Sequence, residues 1–290
     1  MSFFDFVPAA ANFEPKNALA LGACARLAYE PQEAIEERVK GQWRFPTLHF
    51  FSHDEIQAFL AANGETIIVT FRGTEPDKMK DWLDDLKVFL MPGPLGPVHT
   101  GFLEALDSIG RGLFSALETT RTKAQSLWLT GHSLGGALAV LAVAKLLRSG
   151  HPVNGAYTFG QPRVGNSIFS ENFDLRFKEK LFRFVNHHDI VTRMPPRALG
   201  YADSGSFRYF DKQGEYHDAI DPWNKFLTSA GGPPAANPLD RWTFLQSFFP
   251  EGLEDHNMDH YLKNLRSNFA PTPRYKRIFH GLMNVFKKKI

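Results

Sequence analysis

Cysteine is almost absent from this chain of 290 residues, since Cys24 is the only one. An intrachain disulfide is therefore excluded, and the sequence gives no sign of an oxidising compartment. Cys24 lies in an apolar stretch between Leu19 and Leu27. This setting predicts a small buried side chain rather than a reactive thiol.

Long apolar runs are missing as well. No segment approaches the roughly 18 consecutive apolar residues that a membrane span needs. The opening residues, Met1 to Asp5, lack the basic and apolar regions of a secretory signal peptide. We therefore expect a cytoplasmic location or one peripheral to a lipid surface, and the sequence does not exclude secretion.

Clustered positive charge is confined to one end of the chain. The formal net charge is +2, but six basic residues and no acid lie between Arg274 and Ile290, which leaves 27 basic against 31 acidic residues elsewhere. Nucleic acid is therefore not an expected partner. Apolar residues recur near helical spacing in 274–290, which predicts a basic C-terminal helix. It either docks on the domain or lies on an anionic lipid surface.

Short apolar runs alternate with segments of helix length. The predicted strands are 47–51, 56–61, 66–71, 126–130, 153–159 and 181–185, and the predicted helices include 15–29, 101–117 and 134–147. This alternation indicates an α/β fold with a mostly parallel central sheet and helices on both faces. The length fits one domain, 1–290. Segment 92–97 is predicted to be a loop, and 221–250 an apolar loop insertion.

A serine between glycines follows the strand predicted at 126–130. The segment Gly131-His132-Ser133-Leu134-Gly135 fits the pattern G-x-S-x-G and precedes a helix rich in small residues. In this nucleophile elbow a serine occupies a strained turn and exposes its hydroxyl at the carboxyl edge of the sheet. Ser133 is therefore predicted to be a nucleophile. The alternative is an ordinary glycine-rich turn with a capping serine.

Four further segments accompany the elbow in a fixed order. All five are Ile67–Thr74, Val98–Phe102, Gly131–Ala139, Tyr157–Asn166 and Phe184–Val191. Together they resemble motifs of the class 3 lipases, the fungal-type triacylglycerol lipase family, and the resemblance extends over about residues 10–268. It implies an α/β-hydrolase fold and the hydrolysis of acylglycerols or similar esters through an acyl-enzyme. No cofactor and no metal ion are implied.

The resemblance also implies roles for particular residues. Ser133 would attack the ester, Asp189 would orient the base, and the amides of Thr74 and Leu134 would form the oxyanion hole. The order serine, aspartate, histidine along the chain is that of α/β-hydrolases. Without the resemblance, Asp189 is more simply interpreted as a turn residue before Ile190.

Two histidines are candidates for the base. The run Asp255–Tyr261 resembles the family's D-H-x-x-x-x-Y segment, which assigns His256, and His260 one turn later is the alternative. We expect His256 in the first turn of a helix, with one ring nitrogen within about 3.2 Å of the Ser133 hydroxyl. The other nitrogen should meet Asp189. A zinc site of the H-E-x-x-H type is not predicted, because Asn257 replaces the glutamate.

The remaining histidines near these motifs are expected to play supporting parts. His99 and His132 lie beside the functional loops and are predicted to position backbone. His187 and His188 are predicted to pack against neighbours or to lie at the surface.

Residues 75–91 follow the oxyanion loop, where this family carries its lid. Met79, Trp82, Leu83 and Leu86 recur at helical spacing, and charged residues fill the other face. We expect an amphipathic lid that covers the site in water and turns to a lipid–water interface. The alternative is a fixed surface helix with Trp82 in the core. The expected substrate is an ester or lipid; an esterase for soluble esters and a non-catalytic binding protein are the competing functions.

Overall fold

The computed structural model describes residues 4–84, 88–218 and 249–270. The predicted basic helix 274–290 and nearly all of the predicted insertion 221–250 lie outside the described residues, as does Leu86 of the predicted lid. None of the helices within the described ranges has the length and apolar character needed to span a bilayer.

Strands and helices alternate along the chain. The strands are β1 Thr47–His53, β2 Ile56–Ala62, β3 Thr66–Phe71, β4 Leu90–Pro92, β5 Pro97–His99, β6 Ser126–His132, β7 Gly155–Phe159, β8 Gly165–Asn166, β9 Leu181–Asn186, β10 Tyr201–Ala202, β11 Ser206–Phe210 and β12 Tyr216–Asp218. The helices are α1 Pro15–Leu27, α2 Gln32–Glu36, α3 Met79–Asp84, α4 Thr100–Thr120, α5 Leu134–Arg148, α6 Ser167–Phe177, α7 Phe249–Asp255 and α8 Met258–Phe269.

The main sheet in the described part of the chain has the strand order β1-β2-β3-β6-β7-β9-β11-β12. The four pairs from β3 to β11 are parallel, whereas the outer pairs at both edges are antiparallel. The predicted mostly parallel sheet is therefore confirmed. Because β3, β6, β7 and β9 run in the same direction, the segments that follow them meet at one edge of the sheet.

Helices cover both faces of this sheet. Along β6, Leu127 and Leu129 pack into a core with α4, α5 and α6. Trp128 between them packs into the opposite core, with α1 and α8. This alternation is the two-residue period of a strand that is buried on both faces. Cys24 of α1 is 1% exposed, so its predicted burial is confirmed.

A second sheet lies beside the main one and was not predicted from the sequence. Its strand order is β10-β8-β5-β4. The predicted loop 92–97 is confirmed at residues 93–96, which form the hairpin turn between β4 and β5. These strands pair antiparallel from Leu90 with His99 to Pro92 with Pro97. Strands of two or three residues are too short to show a period of two, and the prolines at the turn suggest a loop.

Candidate active site

Ser133 occupies the single residue between β6 and α5. Its backbone angles are φ 56° and ψ −129°, a strained conformation that only surrounding structure can maintain. A Cβ at Gly131 would lie 2.3 Å from the backbone of Gly135, and one at Gly135 would lie 2.2 Å from the carbonyl oxygen of Phe71. Both glycines are therefore required by the close approach of helix and strand. Within the described chain, Ser133 makes no side-chain capping bond to α5.

The Ser133 side chain is completely buried. Its hydroxyl points at the sulfur of Met79, with Oγ and Sδ 3.8 Å apart. Met79 is the first residue of α3 and packs with Leu83, Ile190, Val191 and Met194 in a small apolar cluster. The predicted lid helix therefore lies over the predicted nucleophile.

Asp189 and His256 are brought together from positions 67 residues apart. Nδ1 of His256 lies 2.8 Å from Oδ2 of Asp189, and both side chains are buried. Oδ1 of Asp189 accepts the amide N–H of Val191 at 2.9 Å. Because an ionised carboxylate only accepts hydrogen bonds, Nδ1 of His256 is the donor, and in the neutral ring Nε2 is then the nitrogen with the lone pair.

The expected hydrogen bond between His256 and Ser133 is not formed in the described chain. Nε2 of His256 is buried and has no hydrogen-bond partner among the described residues, while the Ser133 hydroxyl is directed at Met79. The physical reason is the position of α3, which places a methionine against the hydroxyl. Catalytic hydrogen bonds are commonly completed only when substrate is bound.

His132 fixes the backbone that carries His256. Its Nε2 lies 2.7 Å from the carbonyl oxygen of His256, and its Nδ1 lies 2.7 Å from the hydroxyl of Tyr29. Burial, reinforced by the neighbouring His256, lowers the pKa of His132 well below its ordinary value. The ring is therefore neutral at pH 7, with Nε2 donating to the carbonyl and Nδ1 accepting from Tyr29.

Tyr261 was not assigned a role from the sequence, although it closes the D-H-x-x-x-x-Y segment. Its hydroxyl donates to Oδ2 of Asp189 at 2.6 Å and accepts the amide N–H of Asn186 at 2.9 Å. Burial and the adjacent Asp189 charge raise the pKa of Tyr261 well above its ordinary value, so it remains a donor. The five-residue spacing from His256 is the signal that could have indicated it.

Gly160 is a second residue that the sequence reasoning left without a role. It has a positive φ of 59°, and a Cβ there would lie 2.7 Å from Nδ1 of His256 and 2.8 Å from Oδ2 of Asp189. Any side chain would therefore collide with the hydrogen bond between acid and histidine.

Two cavities flank the buried serine. One, of about 690 Å³, is lined by both predicted oxyanion residues, Thr74 and Leu134, together with Trp82 and Phe102. The other, of about 360 Å³, is lined by Thr74, Met79 and His256, among others. A larger cavity of about 800 Å³, at the C-terminal ends of α4 and α5, has none of the predicted site residues in its lining. Size alone therefore does not locate the site.

His256 does not lie in the first turn of a helix, contrary to expectation. It follows the end of α7 at Asp255 and precedes α8, whose N-cap is Asn257. The alternative base, His260, lies on α8 and is half-buried. The nitrogen that binds Asp189 belongs to His256.

Asp203 is another acid downstream of Ser133, and its carboxylate is paired with arginines. It forms ion pairs with Arg163, Arg183 and Arg197 at 3.1, 3.3 and 2.6 Å. Burial opposes ionisation, but the three guanidinium groups outweigh it and lower the pKa of Asp203. This carboxylate is held by cations and not by a histidine.

His187 and His188 are half-buried, and His187 pairs with Asp255 at 2.9 Å. Burial, followed by the charges of His187 and Arg193, lowers the pKa of His188 to about 4. Burial works against ionisation of Asp255, yet hydrogen bonds from these two histidines lower its pKa.

Comparisons with known proteins show which proteins have a similar sequence and fold. The profile of the lipase (class 3) family matches residues 68–199. The chain is 33% identical to the secreted mono- and diacylglycerol lipase 1 of Fusarium solani, over 54% of this chain and 48% of that protein. It is 28% identical to the triacylglycerol lipase OBL1 of Ricinus communis, over 65% of this chain and 50% of that protein. The chain thus spans about half the length of these curated relatives.

The crystal structure of a lipase from Rhizopus microsporus var. chinensis superposes with a TM-score of 0.58 at 26% identity, over 73% of this chain and 82% of that one. The parallel sheet with its serine elbow is that of an α/β-hydrolase. Within that superfamily, the chain is similar to the class 3 lipases over residues 68–199. Some relatives are named as secreted, so the expected cytoplasmic location gains no support.

Proposed function

We propose that this protein hydrolyses carboxylic esters of the acylglycerol type through an acyl-enzyme on Ser133. The observation that carries the proposal is the buried hydrogen bond between Asp189 and His256, which leaves Nε2 of His256 unpaired beside the elbow among the described residues. An unpaired imidazole nitrogen in this position can act as a general base and take the proton of the Ser133 hydroxyl.

In the proposed reaction, Oγ of Ser133 attacks the ester carbonyl carbon as Nε2 of His256 takes its proton. The charge on the imidazolium is stabilised by Asp189, and the oxyanion by the amides of Thr74 and Leu134. Collapse of the tetrahedral intermediate expels the alcohol, which receives the proton from His256. Water then enters by the same steps and releases the acid.

We propose further that α3 acts as a lid. Ser133 is completely buried, and Met79 lies over its hydroxyl, so an ester reaches Ser133 only after α3 has moved. A lipid–water interface would favour that movement by accepting the apolar side chains of Met79 and Leu83. A preference for emulsified over dissolved substrate follows. The basic segment 274–290 remains a second candidate for contact with that interface.

A chromogenic short-chain ester tests the proposal, with Ser133→Ala as the decisive variant. The substitution removes the nucleophile and leaves the backbone unchanged, so hydrolysis should fall to background while the thermal transition stays near that of the parent. Ser108→Ala, on the exposed side of α4, is the matched control and should remain fully active. Turnover that persists in Ser133→Ala, free of contaminating esterase, would refute the proposal.

The substrate class is tested by rates on emulsified and on monomeric esters of graded chain length. A lipase shows a steep rise once substrate forms an interface. An esterase for soluble or aryl esters shows ordinary saturation below that concentration and no rise above it.

A further inference from the structure

The segments that carry the predicted acid and base are joined by a second polar cluster. His187 and His188 immediately precede Asp189, and Asp255 immediately precedes His256. Nδ1 of His187 lies 2.9 Å from Oδ2 of Asp255, and the same oxygen accepts the amide N–H of His188 at 3.0 Å. The cluster therefore bridges the segment after β9 and the end of α7.

Three potential ligand atoms converge in this cluster. One atom from each of His187, His188 and Asp255 lies within 4.8 Å of the other two, and all three residues are half-buried. His187 has a positive φ of 38°, which breaks the alternation of neighbouring side chains in extended backbone. The two imidazole rings consequently stack, with centroids 3.7 Å apart, instead of pointing to opposite sides.

We propose that His187, His188 and Asp255 bind a divalent transition-metal ion, with Zn²⁺ as the best match. Two imidazoles and one carboxylate form a three-ligand set that leaves one tetrahedral position for water. Imidazole donors also suit Co²⁺, Ni²⁺ and Cu²⁺. Ca²⁺ and Mg²⁺ require mostly oxygen ligands and would not be held here. The proposal does not depend on ester hydrolysis at Ser133.

The expected affinity is moderate. Arg193 and Lys212 lie close enough to His188 to act on its charge, and positive charge nearby opposes the binding of a cation. The ion would connect two segments that are adjacent only in the folded chain. Binding should therefore stabilise the native state and raise its melting temperature.

The chain supplies a matched control in a second histidine–aspartate pair. Nε2 of His217 lies 2.7 Å from Oδ2 of Asp211, and this pair is not part of a three-ligand cluster among the described residues. Loss of His217 should leave metal binding unchanged. His188→Ala is the primary test variant because it preserves the pair between His187 and Asp255.

The experiment uses the full chain without an affinity tag. Titration with ZnCl₂ in a calorimeter should show one ion per chain, and the melting temperature should rise with Zn²⁺ but not with Ca²⁺. Co²⁺ should give the intense visible absorption of a tetrahedral site. His188→Ala should weaken Zn²⁺ binding by at least an order of magnitude and remove the Co²⁺ bands, whereas His217→Ala should behave as the parent.

Two results would overturn the proposal. One is parental Zn²⁺ binding in both His187→Ala and His188→Ala. The other is binding that survives His188→Ala but is lost in His256→Ala, because the ion would then lie on the predicted catalytic histidine.

Discussion

At the scale of single residues, Asp189 has the surroundings most specific to its predicted role. Its buried carboxylate receives hydrogen bonds from the His256 ring, the Tyr261 hydroxyl and the Val191 amide. These donors stabilise a negative charge without a cation, so the carboxylate can support a transient positive charge on His256. Asp203, in contrast, is already neutralised by three arginines.

Asp189→Asn should therefore reduce kcat by about 10²–10⁴ while KM changes little. The amide nitrogen would face two donors, His256 Nδ1–H and the Tyr261 hydroxyl, and the ring would lose its correct tautomer. Asp203→Asn should show the opposite pattern, with lower stability and nearly parental kcat. If Asp203→Asn proves the more damaging to kcat, the assignment of the acid is wrong.

The choice between the two histidines gives a second prediction at this scale. His256→Ala should lower kcat on a short-chain ester by orders of magnitude, because no other described imidazole binds Asp189. His260→Ala, half-buried on α8, should alter stability only. Equal losses in the two variants, measured alongside circular dichroism to confirm folding, would contradict this assignment.

At the scale of elements, α3 has the apolar stripe that its sequence indicates. Met79 and Leu83 are buried, and Trp82 stacks on Phe102 with ring centroids 6.1 Å apart. The stripe faces the protein, as both the lid and the fixed-helix alternative require. The contact of Met79 with the Ser133 hydroxyl favours the proposed lid over a fixed surface helix.

Met79→Ala should raise the rate on dissolved esters and reduce the advantage of emulsified ones. Truncating a buried methionine costs about 2–5 kcal/mol in a protein core. That loss destabilises the closed position of α3, so the fraction of molecules with α3 in the open position should increase by at least tenfold. Met91→Ala, a half-buried methionine of β4, is the control. An unchanged ratio of emulsified to dissolved rates would show that α3 does not gate the site.

The ends of some strands and helices could be predicted to the residue, and the ends of others could not. The strand expected at 66–71 is β3 without any shift, because a run of buried β-branched residues specifies both its ends. The helix expected at 15–29 ends at Leu27, two residues early, since Tyr29 leaves the helical path and binds His132. That contact joins residues 103 positions apart, so the pattern of neighbouring residues in the sequence cannot predict it.

At the scale of the whole molecule, some residues of the site could be predicted from the sequence, whereas those that act through long-range contacts could not. Local motifs indicated Ser133, and a family resemblance indicated Asp189 and His256, whose roles stay predictions until the variants above are measured. The supports of the site depend on tertiary contacts. His132 holds the His256 carbonyl, and Gly160 leaves space for the acid–base hydrogen bond. That His132 positions backbone agrees with the prediction, but its partner carbonyl, like the space needed at Gly160, is set by tertiary contacts that the linear sequence does not show.

Buried neutral histidine also determines how the whole molecule should respond to acid. The pKa of His132 is lowered by burial and by His256, so the folded chain stays unprotonated there below pH 6.5 while the unfolded chain takes up a proton. Stability contributed by His132 is thus present above pH 6.5 and lost as the pH falls. His188, with a pKa of about 4, likewise contributes stability above pH 6.5 that is lost as the pH falls. Asp203, whose pKa is lowered from 3.8, acts only below about pH 4.

We therefore expect the free energy of unfolding to decline from about pH 6.5 downwards, before the carboxylates titrate. Each proton taken up on unfolding contributes a slope of about 1.4 kcal/mol per pH unit. His132→Gln, whose side-chain amide can still donate to the His256 carbonyl, should reduce this slope by one proton between pH 6 and 5. Urea unfolding at pH 7, 6 and 5 measures it, with His151→Gln, an exposed site, as the control. Parallel pH profiles for the parent and His132→Gln would mean that His132 is not held neutral in the folded chain.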